Sequence, residues 1–216
     1  MSYVAHTEIV EVFLQGAQVV AAAVGDPAVV AAWDRPSVLE EQRVGGLAGH
    51  LARGAVWVVS DYLDGGVPGG PVDFSCAGEY FAALVSAASA EDHQAVRDRG
   101  AQVAAAGHEE LRRTLDQRLE ALGPRLRSLD VSHRIAVVGG KVMRLEDYLT
   151  TRIVEQVVHL DDLARSVGRT PWPLPAGAAE VAIAVGADIA VRRSGGAAVI
   201  RALYRRGWSE PVLPVL

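Results

Sequence analysis

The chain has 216 residues, half of them apolar, enough to bury one proper core and to favour a single domain with at most a small extension. Its formal net charge is −5, with acidic and basic residues mixed through the same segments, so no basic face emerges to neutralise phosphates and nucleic acid is excluded as the expected partner. The stretch after Met1 carries Glu8 and Glu11 without a basic leader, and no window reaches roughly 18 uninterrupted apolar residues, so neither a signal peptide nor a membrane span is expected and the cytoplasm is the expected location.

In chain order, helical spacing runs from about Tyr3 to Val24 and stops at Gly25-Asp26-Pro27. A short Ala/Val/Trp segment and the breakers Asp34, Pro36 and Ser37 lead into a second helical run from about Leu39 to Leu63, closed by the glycine-proline loop 65–70. The third stretch, Glu79 to about Leu126, is helical with an interruption at Ala90-Glu91-Asp92, where a cap fits, and with Gly123-Pro124 near its end. Residues Arg134 to Arg144, with Ile135, Val137, Val138 and Gly139-Gly140, suit a small hairpin or an extended connection. A fourth helix spans Leu145 to about Ser166, ends at Gly168 and meets a stiff linker with Pro171, Pro173 and Pro175. One or two shorter helices follow between Ala176 and Arg206. Four long helices with short links predict an all-α four-helix bundle over 1–168 and a proline-rich linker with a short helical extension over 169–216.

Chemistry concentrates on the fourth helix. Steps of 100° place Tyr148, Thr151, Arg152, Glu155, His159 and Asp162 on one polar stripe, with Leu149, Ile153, Val154, Val157, Val158, Leu160 and Leu163 over most of the rest and Gln156 and Asp161 interrupting them. Spacing leaves two readings open: a solvated face, or a stripe on which Glu155 and His159, four residues apart, offer a carboxylate oxygen and an imidazole nitrogen to one ion. A third ligand has to come from another helix. In LAGHLARG, His50 lies beside Leu47 and Trp57 and between Gly46 and Gly54, small and apolar surroundings that turn it inward, either as a hydrogen-bonded core histidine or as that ligand. A His/Glu/His set from facing helices would leave positions open for water or substrate. The single cysteine, Cys76 in DFSCAGEY, has no base or cation beside it in sequence and reads as an unreactive thiol.

LAGHLARG around residue 50, together with LEDYLTTR and EQVVHLDDLARSVG at 155–168, resembles the DinB-like superfamily, specifically the metal-binding domain of mycothiol-dependent maleylpyruvate isomerases. The most specific part is Glu-x-x-x-His-x-x-Asp-Leu-Ala, here Glu155, His159, Asp162, Leu163 and Ala164. The resemblance covers roughly the first 170 residues and implies up-down-down-up topology and a three-ligand site that falls on His50, Glu155 and His159. Asp162, one turn from His159, becomes a support residue. Arg152 and Arg53 become nearby cations able to attract an anionic substrate, each otherwise reading as a surface charge. The isomerases proper continue into a second domain that supplies an essential arginine, whereas 48 residues follow Gly168 here; in AAVIRALYRRGW, Arg201, Arg205 and Arg206 read mostly as surface residues.

The implied cofactors are a divalent metal, zinc first and nickel, iron or manganese next by ligand type, and a small thiol such as mycothiol. The implied partners are that thiol and a small electrophilic or unsaturated acid, in an isomerase or S-transferase reaction. The alternative is a metal-binding or sensing bundle of the same family without turnover. Nothing in the residues sets the oligomeric state, and a homodimer stays open. The Ala/Val/Gly/Arg-rich composition fits a high-GC actinobacterial source, where mycothiol is available.

Overall fold

A computed structural model describes residues 6–85, 88–130, 132–206, 212 and 214. It is all-α apart from one small hairpin. Helix α1 spans His6–Val24 and is followed at once by the short α2, Pro27–Ala31. Asp26 makes that break: its carboxylate accepts the Ala28 amide at 2.9 Å, and Pro27 sits in the first turn, where no amide is needed.

The second run is shorter at its start than its spacing suggests. Helix α3 begins at Val44 and ends at Ala52, a π-helical turn covers Arg53–Trp57, and α4 continues over Val58–Asp64. Residues 39–43 form a turn in which the Ser37 amide bonds the Gln42 carbonyl, so the helical periodicity from Leu39 is overridden by local turn bonding. The third stretch divides into α5 (Ala77–Tyr80) with a π-helical turn over Phe81–Val85, α6 (Ala90–Ala104) and α7 (His108–Ser128). Ser89 and Asp92 form a reciprocal capping box at the start of α6. Helix α7 runs through Gly123-Pro124 for another turn, because Leu122 and Leu126 are both buried and their packing outweighs the bond that proline removes.

Strands β1 (Arg134–Ala136) and β2 (Val142–Arg144) pair antiparallel, with Ile135 opposite Met143 and both side chains fully buried. Helix α8 covers Leu145–Ser166 and ends at Gly168, whose φ of 68° is the left-handed conformation that stops a helix cheaply. Helices α9 (Ala178–Ser194) and α10 (Gly196–Tyr204) are the last helices among the described residues. No helix among the described residues is long and apolar enough to cross a membrane.

Contacts between helices set the directions. Helix α1 is antiparallel to α7, since Glu11 pairs with Arg127 and Gly25 meets Arg112. It runs parallel to α8, with its first half in the same core cluster as Leu145–Val154 and its second half with Leu160–Ala164. The α3–α4 pair opposes α8, through Gly54 on Arg152 and Tyr62 on Tyr148, and follows α7, through Asp61 on Arg118 and Asp64 on Arg125. The order is therefore up-down-down-up. Parallel α3–α4 and α7 require a long crossover, and α6 lies within it, packed along α3. Their backbones approach so closely that a Cβ on Gly49 would stand 2.2 Å from the Gly100 carbonyl oxygen.

Two apolar clusters fill the interior. One holds Phe13, Val59, Phe81, Leu126, Leu149 and Ile153 together with Val181, Val185 and Ile189 of α9; the other holds Val24, Leu47, Leu51, Leu115 and Leu163. Glu155, Gln156 and His159 fall between the α8 residues of these two clusters.

Candidate metal centre

The polar stripe of α8 faces inward. Tyr148, Thr151 and Arg152 are 1%, 0% and 6% exposed, while the outward edge of the helix is Val158, Asp161 and Arg165. A solvated face is therefore ruled out for the first half of the stripe: α8 is buried on most sides, between α1, α3 and α9.

Glu155 and His159 project from successive turns of α8, and His50 reaches them from α3. The Glu155 Oε2 oxygen lies 3.6 Å from His50 Nε2 and 3.4 Å from His159 Nε2, and one ligand atom from each residue lies within 4.8 Å of both others. The two imidazoles meet edge to face at 4.8 Å between centroids. Each of the three side chains keeps 16–20% of its surface exposed, so the cluster is lined by protein yet reachable. Neighbouring ligand atoms of a tetrahedral ion with bonds of 2.0–2.2 Å stand about 3.4 Å apart. The two oxygen–nitrogen separations are close to that edge length, and with all three atoms within 4.8 Å of one another the two imidazoles would draw together to hold one ion.

The surrounding groups orient the donors. His159 Nδ1 sits 3.0 Å from Asp162 Oδ2 and donates to it, which turns Nε2 toward Glu155 and His50. Burial works against a charge on His159, but Asp162 and Glu155 outweigh it and raise its pKa to about 9 among protein groups alone. Burial likewise opposes the Glu155 charge, and the two imidazoles with the Arg152 guanidinium outweigh it, holding that carboxyl well below the usual range. His50 is seated by glycines: a Cβ on Gly54 would touch its ring at 3.4 Å, and a Cβ on Gly100 would press on its own Cβ at 3.0 Å.

Arg152 is no surface charge. Its Nη1 donates to the Gly54 carbonyl at 2.7 Å and its Nε to Thr151 Oγ1 at 2.9 Å, with the Tyr148 ring 4.8 Å away. Its Nη2 faces Glu155 Oε1 at 4.0 Å. Arg53, by contrast, is half-buried on α3's continuation, with no side-chain hydrogen bond or ion pair among the described residues. Arg201, Arg205 and Arg206 are exposed, as expected of surface residues. Sequence reasoning missed the Gly54 carbonyl and Tyr80, whose ring is 6.0 Å from the Arg152 guanidinium. A glycine one turn beyond His50 was a signal for the former; nothing local marked the latter.

Cys76 requires a correction. No cation stands beside it in sequence, but α9 brings Arg192 Nη2 to 3.3 Å and the Asp188 carboxylate to 3.6 Å from its sulfur. Those contacts tie it to α9, and it takes no part in the His50/Glu155/His159 cluster.

An up-down-down-up helical bundle with a His/Glu/His cluster between facing helices defines a class of all-α proteins with an internal polar centre. Residues 13–164 match the mycothiol maleylpyruvate isomerase N-terminal domain, and the chain belongs to that family. No curated protein and no solved structure gives a significant match.

Proposed function

We propose that the chain holds one divalent metal ion through His50, Glu155 and His159 and uses it to engage a low-molecular-weight thiol such as mycothiol, isomerising a small unsaturated acid or transferring the sulfur to a small electrophile. The observation that carries this reading is the convergence of three donor atoms within 4.8 Å of one another, the two separations from Glu155 lying near a tetrahedral edge, with Asp162 holding the far nitrogen of His159. Membership of a mycothiol-related family supports the choice of thiol.

An ion held there would supply positive charge that favours the thiolate, the reactive form, of a small thiol. The protein's part is positional. Asp162 fixes the His159 tautomer, Glu155 contributes one negative charge, and His50, Glu155 and His159 are the three donors that would hold the ion. Cys76, which contacts Asp188 and Arg192, lies outside the three-donor cluster, so the protein need not supply the reacting sulfur. Two nitrogens and one oxygen suit zinc first and also nickel, iron or manganese.

Elemental analysis of the purified protein beside His159→Ala, followed by calorimetric titration with mycothiol, tests the reading. One ion per chain, lost in the variant, with thiol binding that requires the ion, is the expected result. An ion retained without thiol binding reduces the protein to a non-catalytic metal-binding bundle. Failure to take up any divalent metal on reconstitution overturns the centre altogether.

A further inference from the structure

We infer that Arg152 is the positioning residue of this centre, dividing the Glu155 carboxylate so that one oxygen is left for the ion and the other is kept from it. The inference rests on the metal reading above. The two carboxylate oxygens have different surroundings: Oε2 lies 3.6 and 3.4 Å from the two imidazoles, whereas Oε1 faces Arg152 Nη2 at 4.0 Å. Attraction of its second oxygen to a fixed cation favours a carboxylate's binding an ion through the other oxygen alone. That leaves coordination positions that a bidentate carboxylate would fill.

The cation is fixed by the π-helical turn that follows His50. The Val58 amide reaches back five residues to the Arg53 carbonyl, where an α-helix would have it bond Gly54. The Gly54 carbonyl is taken instead by Arg152 Nη1 at 2.7 Å, and the next carbonyl, Ala55, by Gln156 Nε2 at 3.4 Å. Thr151 Oγ1 accepts from Arg152 Nε and itself donates to the Tyr148 carbonyl at 2.6 Å, which locks the hydroxyl's orientation. The guanidinium thus spans the turn that carries His50 and the carboxylate that faces it, linking two ligands that come from different helices. Lysine offers a point charge on a flexible stem and cannot reproduce that two-armed hold.

The test uses cobalt(II) as the probe, loaded into the full chain and into Arg152→Gln, Arg152→Lys and Gln156→Met. Visible absorption per bound ion reads coordination number, and a competition titration reads affinity. The expected result is tenfold to hundredfold weaker cobalt binding in Arg152→Gln, with the weaker absorption bands of a five- or six-coordinate ion as the carboxylate turns bidentate. Arg152→Lys is expected to lie between it and the unchanged protein. Gln156→Met, which removes a bond to the same turn without approaching Glu155, is expected to lower thermal stability and leave the spectrum as it was.

Unchanged per-ion spectra in both Arg152 variants overturn the inference, whether or not those variants are less stable, and so does an equal spectral change in Gln156→Met. Failure of the unchanged protein to bind cobalt overturns the metal reading itself, a result distinct from either.

Discussion

Asp162 illustrates how one carboxylate acts on chemistry it does not itself perform. Its oxygen accepts the hydrogen bond from His159 Nδ1–H, which fixes both the ring's orientation and the nitrogen left for an ion. Asp162→Asn is expected to weaken metal affinity by roughly tenfold to hundredfold, with helical content unchanged, read by competition titration beside circular dichroism.

The same contact sets a pH dependence. His159 has a pKa of about 9 among protein groups alone, above its unfolded value of about 6.5. Its contribution to the stability of the ion-free protein is therefore fully present below about pH 6.5 and lost as pH rises through 9. A metal must displace that proton. Its apparent affinity is expected to climb about tenfold per pH unit between 7 and 9 from this group alone, and a flat profile over that range in calorimetry would contradict the raised pKa of His159.

At the scale of elements, the packing of α6 on α3 is built on missing side chains. A Cβ on Gly49 would meet the Gly100 carbonyl at 2.2 Å, and one on Gly100 would meet the Gly46 carbonyl at 2.8 Å and the His50 Cβ at 3.0 Å. Backbone cannot yield as a flexible side chain does, so the helices would have to part. Gly49→Ala is expected to destabilise the fold by about 1–3 kcal/mol despite alanine's better helix propensity; thermal denaturation checks the sign, and a gain in stability would show that the two helices do not pack so closely. The π-helical turn over Arg53–Trp57 is another device at this scale: it spaces His50 from the Trp57 end of the run and presents the Gly54 and Ala55 carbonyls to α8.

For the molecule as a whole, acid–base stability has a contribution outside the centre. Asp147, in the first turn of α8, has one carboxylate oxygen buried without a hydrogen bond, and the Arg144 guanidinium stands 3.6 Å away. Burial, with the nearby Glu146 charge, raises its pKa to about 6 despite Arg144. A raised carboxyl stabilises the fold below its unfolded pKa near 3.9 and loses that contribution as pH rises through about 6. Asp147→Asn is expected to stabilise the protein at pH 8 by about 1–3 kcal/mol, with the gain fading towards pH 4. Denaturant melts at the two pH values decide it, and equal effects at both would mean that the carboxyl is not held protonated.

Long amphipathic runs and their breakers made the bundle legible from residues alone. Leu145 to Ser166 reads as one helix and is one, because its apolar positions, the Gly168 stop and the prolines beyond agree. The spacing of Glu155 and His159 and the small, apolar neighbours of His50 marked the three side chains that the structure brings together. Periodicity failed where a competing local bond decided the matter, at residues 39–43, where the turn bonds prevail; at Pro124 the helical reading to about Leu126 held, because burial of Leu122 and Leu126 carries α7 through the proline.

Which face of α8 is solvated lies beyond any helical wheel, since Thr151 and Arg152 turn inward only because α3, α5 and α9 close over α8. The same holds for Arg192 beside Cys76, and for the Gly54 carbonyl under Arg152. Helical spacing is local and is written in the chain; the pairing of groups 98 or 116 residues apart depends on how the helices pack, and only the tertiary structure decides it.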